Sequence, residues 1–308
     1  MATPGWFEDV PVLGKMPPAQ AAAKLRELGD TRTASVLESA HDASARDYGL
    51  LKSLWPFQDK PWQHTAHAFG FLAPDSSARG LLPIQHPGAL PVRDDLKNAR
   101  VKITLNGLRV AAYPGGGTHR ILFDFYARNQ LANAEENLHF NATYRVKEGE
   151  RAAVIGFPVF VGLNVGSEGV AFKCFTVNVK NDQDEAVLGF FESDVFRGGL
   201  KLVNTLQPAI APLSHIAFSL TKTIASRNRN VPVQDFYMGL DFGNNPTGAR
   251  LAEGSYLAVQ IPEKLQTVWD WSEWGFNKSN GQVVNHVKPT ELIPYNYIVF
   301  GVSRYDGP

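Results

Sequence analysis

Apolar and polar residues alternate along much of the chain after residue 100. Val101, Ile103 and Leu105 alternate with polar positions, as do Ile121, Phe123, Phe125 and Ala127, and again Leu138, Phe140, Ala142, Tyr144 and Val146. A period of two predicts strands. Val154–Val165 is a nearly continuous apolar run carrying Pro158, which predicts a buried strand with a bulge or break. Val170, Phe172, Cys174 and Thr176 face one way on a further strand. Strands are also predicted over Val233–Phe242, Ser255–Ile261 and Tyr295–Tyr305. Asn106-Gly107 lies between two alternating runs, the strongest short-range signal for a hairpin, with a bulge in one long strand as the alternative.

Elsewhere the period is helical. Pro17-Pro18 opens an Ala-rich stretch, Ala19–Leu28, that Gly29 closes, the usual punctuation of a helix. A second short helix is expected from Thr31 or Thr33 to Ala45. Asp184 is placed to cap a helix over Glu185–Phe196, with Val187, Leu188, Phe191 and Val195 along it, and Gly198-Gly199 breaks it. Leu200, Val203 and Leu206 continue the pattern to Pro208. Leu213, Ile216, Ala217, Leu220 and Ile224 then form an apolar stripe on a further helix with a basic end. Between the first helices and residue 100 prolines recur too often for long elements, yet Trp55, Phe57, Trp62, Phe69 and Phe71 crowd the same stretch. Those rings are expected to lie buried against a larger body.

These elements predict a mainly β chain: an antiparallel β-sandwich of about eight strands over residues 100–308, with a helical insert at 185–226. Residues 1–99 form a helical and Pro-rich extension packed on that body. Strands and helices do not alternate one for one, which disfavours a doubly wound parallel sheet.

Charge changes the functional picture. The 308 residues hold 30 basic and 30 acidic side chains, so the net charge is zero, without the basic surplus that nucleic-acid binding needs. No nucleic-acid partner is expected. The lone Cys174 rules out an intramolecular disulfide and reads as a buried thiol. No transmembrane segment and no secretory leader is apparent, and a cytoplasmic location is expected.

Candidate chemistry is sparse. Trp269, Trp271 and Trp274 cluster in Val268–Phe276 and are the candidate binding residues, because indoles supply large rigid contact area. The bland alternative is a loop whose rings cover the sandwich edge. His64 and His67 are three apart and would share a face on a helix, where Asp59 or His86 would complete a metal site. Asp182 and Asp184, joined by Asp241 or Asp270, are candidate calcium ligands at a sandwich end. Pro114–Gly117 leads into a strand rather than a helix, so it reads as a hairpin turn and not a phosphate loop. No Gly-x-Ser-x-Gly elbow is present, and His119, His139, His215 and His286 stand isolated by type.

The expected function is therefore a non-enzymatic module for protein–protein interaction or self-assembly, binding a protein partner or further copies of itself, with no cofactor. The alternatives are a metal-dependent hydrolase using the histidine pair and a calcium- or lipid-responsive sandwich domain.

Overall fold

The structure, a computed structural model, describes residues 6–43, 60–74, 80–131, 134–192, 197–202, 210–243 and 248–307. Trp55, Phe57, Asp59, Val195, Val203, Leu206 and Pro208 lie outside these residues.

Long alternating strands build two sheets. One has six strands in the order β1 (Ala66–Leu72), β11 (Gly254–Ile261), β14 (Tyr297–Arg304), β3 (Arg100–Arg109), β6 (Phe157–Asn164) and β8 (Leu200–Lys201). The other has five, in the order β10 (Ala249–Arg250), β9 (Val231–Asp241), β7 (Val170–Val179), β4 (Thr118–Leu131) and β5 (Ala134–Lys147). Pairing is antiparallel except where the two-residue strands β8 and β10 join. The inner faces bury the alternating residues read from the sequence. Val101, Ile103 and Leu105 of β3 share one core with Phe123 and Phe125 of β4 and Phe172 of β7. The Phe300 ring of β14 crosses between the sheets, 4.8 Å from Phe172 and 5.9 Å from Phe125. The chain is a mainly β protein consistent with a β-sandwich.

Each sheet is also covered outside. Over the six-stranded sheet lies a small sheet of β2 (Leu81–Pro83), β12 (Trp274–Asn277) and β13 (Gln282–Asn285). Between them is a second core of Leu257, Val259, Tyr297 and Val299 against Leu82, Trp271, Trp274 and Val283. Over the five-stranded sheet lie the N-terminal segment and helix α4 (Ile210–Ser226), which follows the shorter α3 (Glu185–Phe191). The apolar stripe explains that placement: Ile210, Ala217, Phe218, Ile224 and Ala225 are buried, and Ile216 remains exposed.

At the start of the chain α1 (Pro18–Glu27) ends on Gly29, which takes the left-handed φ of 82° that such caps require. Asp30 then accepts from the Thr33 amide and opens α2 (Thr31–Ala43).

Three local readings change. Asn106-Gly107 is not a hairpin: β3 runs through it, and the register against β14 slips between Val299 and Phe300, leaving Asn106 as the extra residue of a bulge. Pro114–Gly117 is a turn with three glycines at positive φ, but it carries the chain from the six-stranded sheet to the five-stranded one. The long hairpin is β4–β5, fourteen residues on each side. Finally, Ala66–Leu72 forms an edge strand of the six-stranded sheet, so the Pro-rich aromatic stretch enters the fold rather than only wrapping it.

Candidate functional site

The three tryptophans fold where the chain leaves β11 and enters β12. Asp270 caps the short turn Trp271–Glu273 by accepting from the Ser272 amide at 2.8 Å, which turns the indoles toward the six-stranded sheet. Trp271 and Trp274 are buried in the second core, and the Trp271 indole donates to the Phe69 carbonyl at 2.8 Å. Trp269 is half-buried, stacked on Trp274 at 6.3 Å and edge-on to Trp271 at 5.4 Å. Its Nε1 is shielded from solvent and has no hydrogen-bond partner among the described residues. A buried donor left unpaired costs about 1–3 kcal/mol.

Beside Trp269 opens a cleft of about 720 Å³ between β1 and β9, where the two sheets part. His67 and Phe69 form one wall, Tyr237 and Asp241 the other, and Trp269 and His86 also line it. Tyr237 and, next to Trp269, Val268 are exposed, at 55% and 68%. The cleft thus gathers Trp269, Trp271, His67, His86 and Asp241, residues that the sequence offered for three different chemistries.

The free edge of β1 faces this cleft. In the β1–β11 register, Phe71 turns its N–H and C=O outward, where both bond to Gln85. Strand alternation therefore turns the backbone groups of His67 and Phe69 outward as well. The Phe69 carbonyl takes the Trp271 indole. The Phe69 N–H and both backbone groups of His67 have no partner among the described residues.

The histidine pair does not converge. His64 ends the turn Pro61–Gln63, with Nδ1 3.5 Å from the Glu263 carboxylate, while His67 lies in β1. Extended residues three apart face opposite sides. Burial against Phe236, 4.9 Å away, drives the His67 imidazole down to about 4, outweighing its contacts with Gln234 and the Thr65 backbone. His86 caps a turn, its Nδ1 accepting from the Gly88 amide. Among the described residues no three His, Cys, Asp or Glu side chains are grouped to hold a metal ion.

The acidic candidates are also dispersed. Asp184 is fully buried and bound by Arg227 and by Asn230 at 2.6 Å, while Asp182 is exposed and paired with Arg120 at 2.8 Å. Asp241 caps its own loop by accepting from the Gly243 amide. Cys174 lies at the centre of the core, where burial raises its thiol well above the usual range and keeps it protonated.

One pairing was invisible in the sequence. His139 of β5 donates from Nδ1 to Asp124 of β4 at 2.7 Å, and Asn141 donates to the same carboxylate at 3.1 Å. The Ser214 hydroxyl of α4 lies close, but it bonds the His139 amide at 2.6 Å and the Asn137 carbonyl at 3.3 Å, not the imidazole. Trp6, Phe7, Tyr126 and Phe218 enclose the ring, with centroids 4.8–6.1 Å away. The residue types of a nucleophilic triad meet here in an arrangement that closes the free edge of β5 instead.

No protein-family model, no curated protein and no solved structure matches the chain. Among the described residues no helix is long and apolar enough to cross a membrane.

Proposed function

We propose that the chain is a non-enzymatic binding module that takes an extended segment of a protein partner in the cleft beside Trp269, as an added strand along β1. The observation that carries this reading is the row of unpartnered backbone groups at His67 and Phe69, which opens onto the cleft. Strand addition uses such groups for affinity and neighbouring pockets for selectivity. The aromatic walls supply apolar contact. A zero net charge leaves shape and apolar contact as the main sources of affinity.

A single segment fits better than a second copy. The edge of β1 opens into a cleft that Trp269 and Tyr237 also line, and these aromatic side chains offer an extended segment apolar contact beside the strand edge. Ser214 of α4 covers the β5 edge at His139, and the edge strands β8 and β10 are only two residues long.

The test is selection of binders from a displayed library of random short peptides, followed by hydrogen exchange with the best binder. The His67 and Phe69 amides are expected to gain protection. Phe69→Pro removes one outward donor without touching the β11 ladder and should weaken binding at least about tenfold, the value of one lost hydrogen bond in a dry site. A binder that leaves both amides unprotected overturns the reading. So does a dimer in light scattering whose formation buries this edge, which would make the partner a second copy.

A further inference from the structure

The walls of the cleft beside Trp269 carry charge of one sign only. Among the described residues that line it, Asp241 holds the only carboxylate, and none is a lysine or an arginine. Asp241 is half-buried, and its Oδ1 accepts from the Gly243 amide at 2.9 Å. Its Oδ2 has no hydrogen-bond partner among the described residues and is open to solvent.

Strand alternation places this carboxylate beside an aromatic ring. Phe236, Met238 and Leu240 of β9 point into the core, so Tyr237, Gly239 and Asp241 share its outer face. Gly239 puts no side chain between the other two. The Tyr237 ring leans into that space: a Cβ at position 239 would stand 3.1 Å from its hydroxyl oxygen and 3.4 Å from its ring edge. The exposed phenol thus lies along the strand on the side of Asp241.

Two cations stand near, and both are held elsewhere. Arg250 is the register partner of Asp241 in β10, but its guanidinium bonds the carbonyls of Gly243 and Leu90. Lys173 is the register partner of Tyr237 in β7, and its ammonium lies among the rings of Trp6, Tyr126 and Tyr237 at 5.1, 5.5 and 5.8 Å. Neither lines the cleft. Lys173 also shows that the Tyr237 ring accepts a cation, as the negative face of an aromatic ring does.

We infer that the segment taken along β1 carries a lysine or arginine whose charged end meets the Asp241 Oδ2 while its methylene stem crosses the Tyr237 ring. This rests on the strand-addition reading and adds to it the chemistry of the partner, an extended segment with a basic residue. A charge-assisted hydrogen bond holds the head, and the stem adds to the apolar contact of the aromatic walls. Apolar contact still supplies most of the affinity, and Asp241 selects the segment and fixes its register. An acidic residue at the same place meets a like charge with no cation in the cleft to offset it.

The experiment uses the full chain and the displayed library of random short peptides. Aligned binders should be enriched in lysine or arginine at one position and depleted of acidic residues there, a result that needs no variant. The best binder is then compared with an analogue carrying norleucine in place of that basic residue, each against wild type and Asp241→Asn, which keeps an oxygen for the Gly243 amide. The substitution should weaken the basic peptide about tenfold, the value of a charge-assisted hydrogen bond. It should change the norleucine analogue less than about twofold, as expected where no interaction couples the two positions. Hydrogen exchange separates this inference from the reading beneath it. Protected His67 and Phe69 amides without basic enrichment, or with equal losses for the two peptides, overturn the inference and leave strand addition standing. A basic, Asp241-dependent binder that leaves both amides unprotected overturns strand addition instead.

Discussion

Mild acid should destabilise this protein through two buried histidines. His67 is held at about 4 chiefly by burial. His119 is fully shielded and also held at about 4, by burial and then by the charge of Lys180, against the opposing bond to Asn178. Its Nε2 lies 3.9 Å from the Glu148 carboxylate, beyond hydrogen-bond range. In the unfolded chain both imidazoles return to about 6.5. The unfolded state thus binds protons first as pH falls, and stability drains away between pH 6.5 and about 4 before levelling off. At pH 5 each unfolded imidazole is almost fully charged while its folded counterpart is almost neutral, a loss of about 2 kcal/mol per histidine. The pair loses about 4 kcal/mol, a large share of the 5–15 kcal/mol typical of a folded protein. Urea unfolding followed by tryptophan fluorescence at pH 7, 6 and 5 measures this directly. The reasoning requires that His67→Gln and His119→Gln each remove about half of the pH dependence. A wild-type stability that is flat from pH 7 to pH 5, or a dependence that survives in the double variant, refutes it.

Asn296 is fully buried and ties the Ala111 and Ala112 amides, the Ala112 carbonyl and Gln260 together. Asn296→Ala strands these groups and should cost about 3–5 kcal/mol, read as a lower urea midpoint with an unchanged slope. Cys174 should stay unreactive toward a thiol reagent in the native protein and react at once in denaturant, because both burial and its raised thiol oppose attack; rapid native labelling would contradict the core placement.

The sandwich was legible wherever one strand face meets the core. Phe123, Phe125, Phe172 and Cys174 alternate because the next residues face the outer layer. The same rule fails for Ala66–Leu72, which is covered on both sides, so its apolar run carries no period, and the prolines on either side of it, Pro61 and Pro74, suggested irregular chain. The Asn106 bulge exploits the same dipeptide that makes tight hairpins, and only the register against β14 separates the two. Leu200 pairs with β6 rather than continuing a helix, a choice made by the neighbouring strand and not by its own propensity. The site residues were harder to read for a related reason. His139 meets Asp124 through strand pairing that joins distant positions, and no local spacing records such a meeting. The tryptophans stood out by type, but which of them keeps an exposed edge follows from the small sheet packed over them.

The placement of β1 also has a consequence for synthesis. Ala66 faces Ile261, so this strand lacks its ladder partner until the chain has been made as far as β11. During translation its apolar residues must wait, open to wrong pairings, while the β4–β5 hairpin folds locally behind them. The six-stranded sheet closes only once β11 and β14 have been made. Slow translation between β1 and β11, or truncation before β11, would leave β1 exposed to aggregation or to chaperone capture.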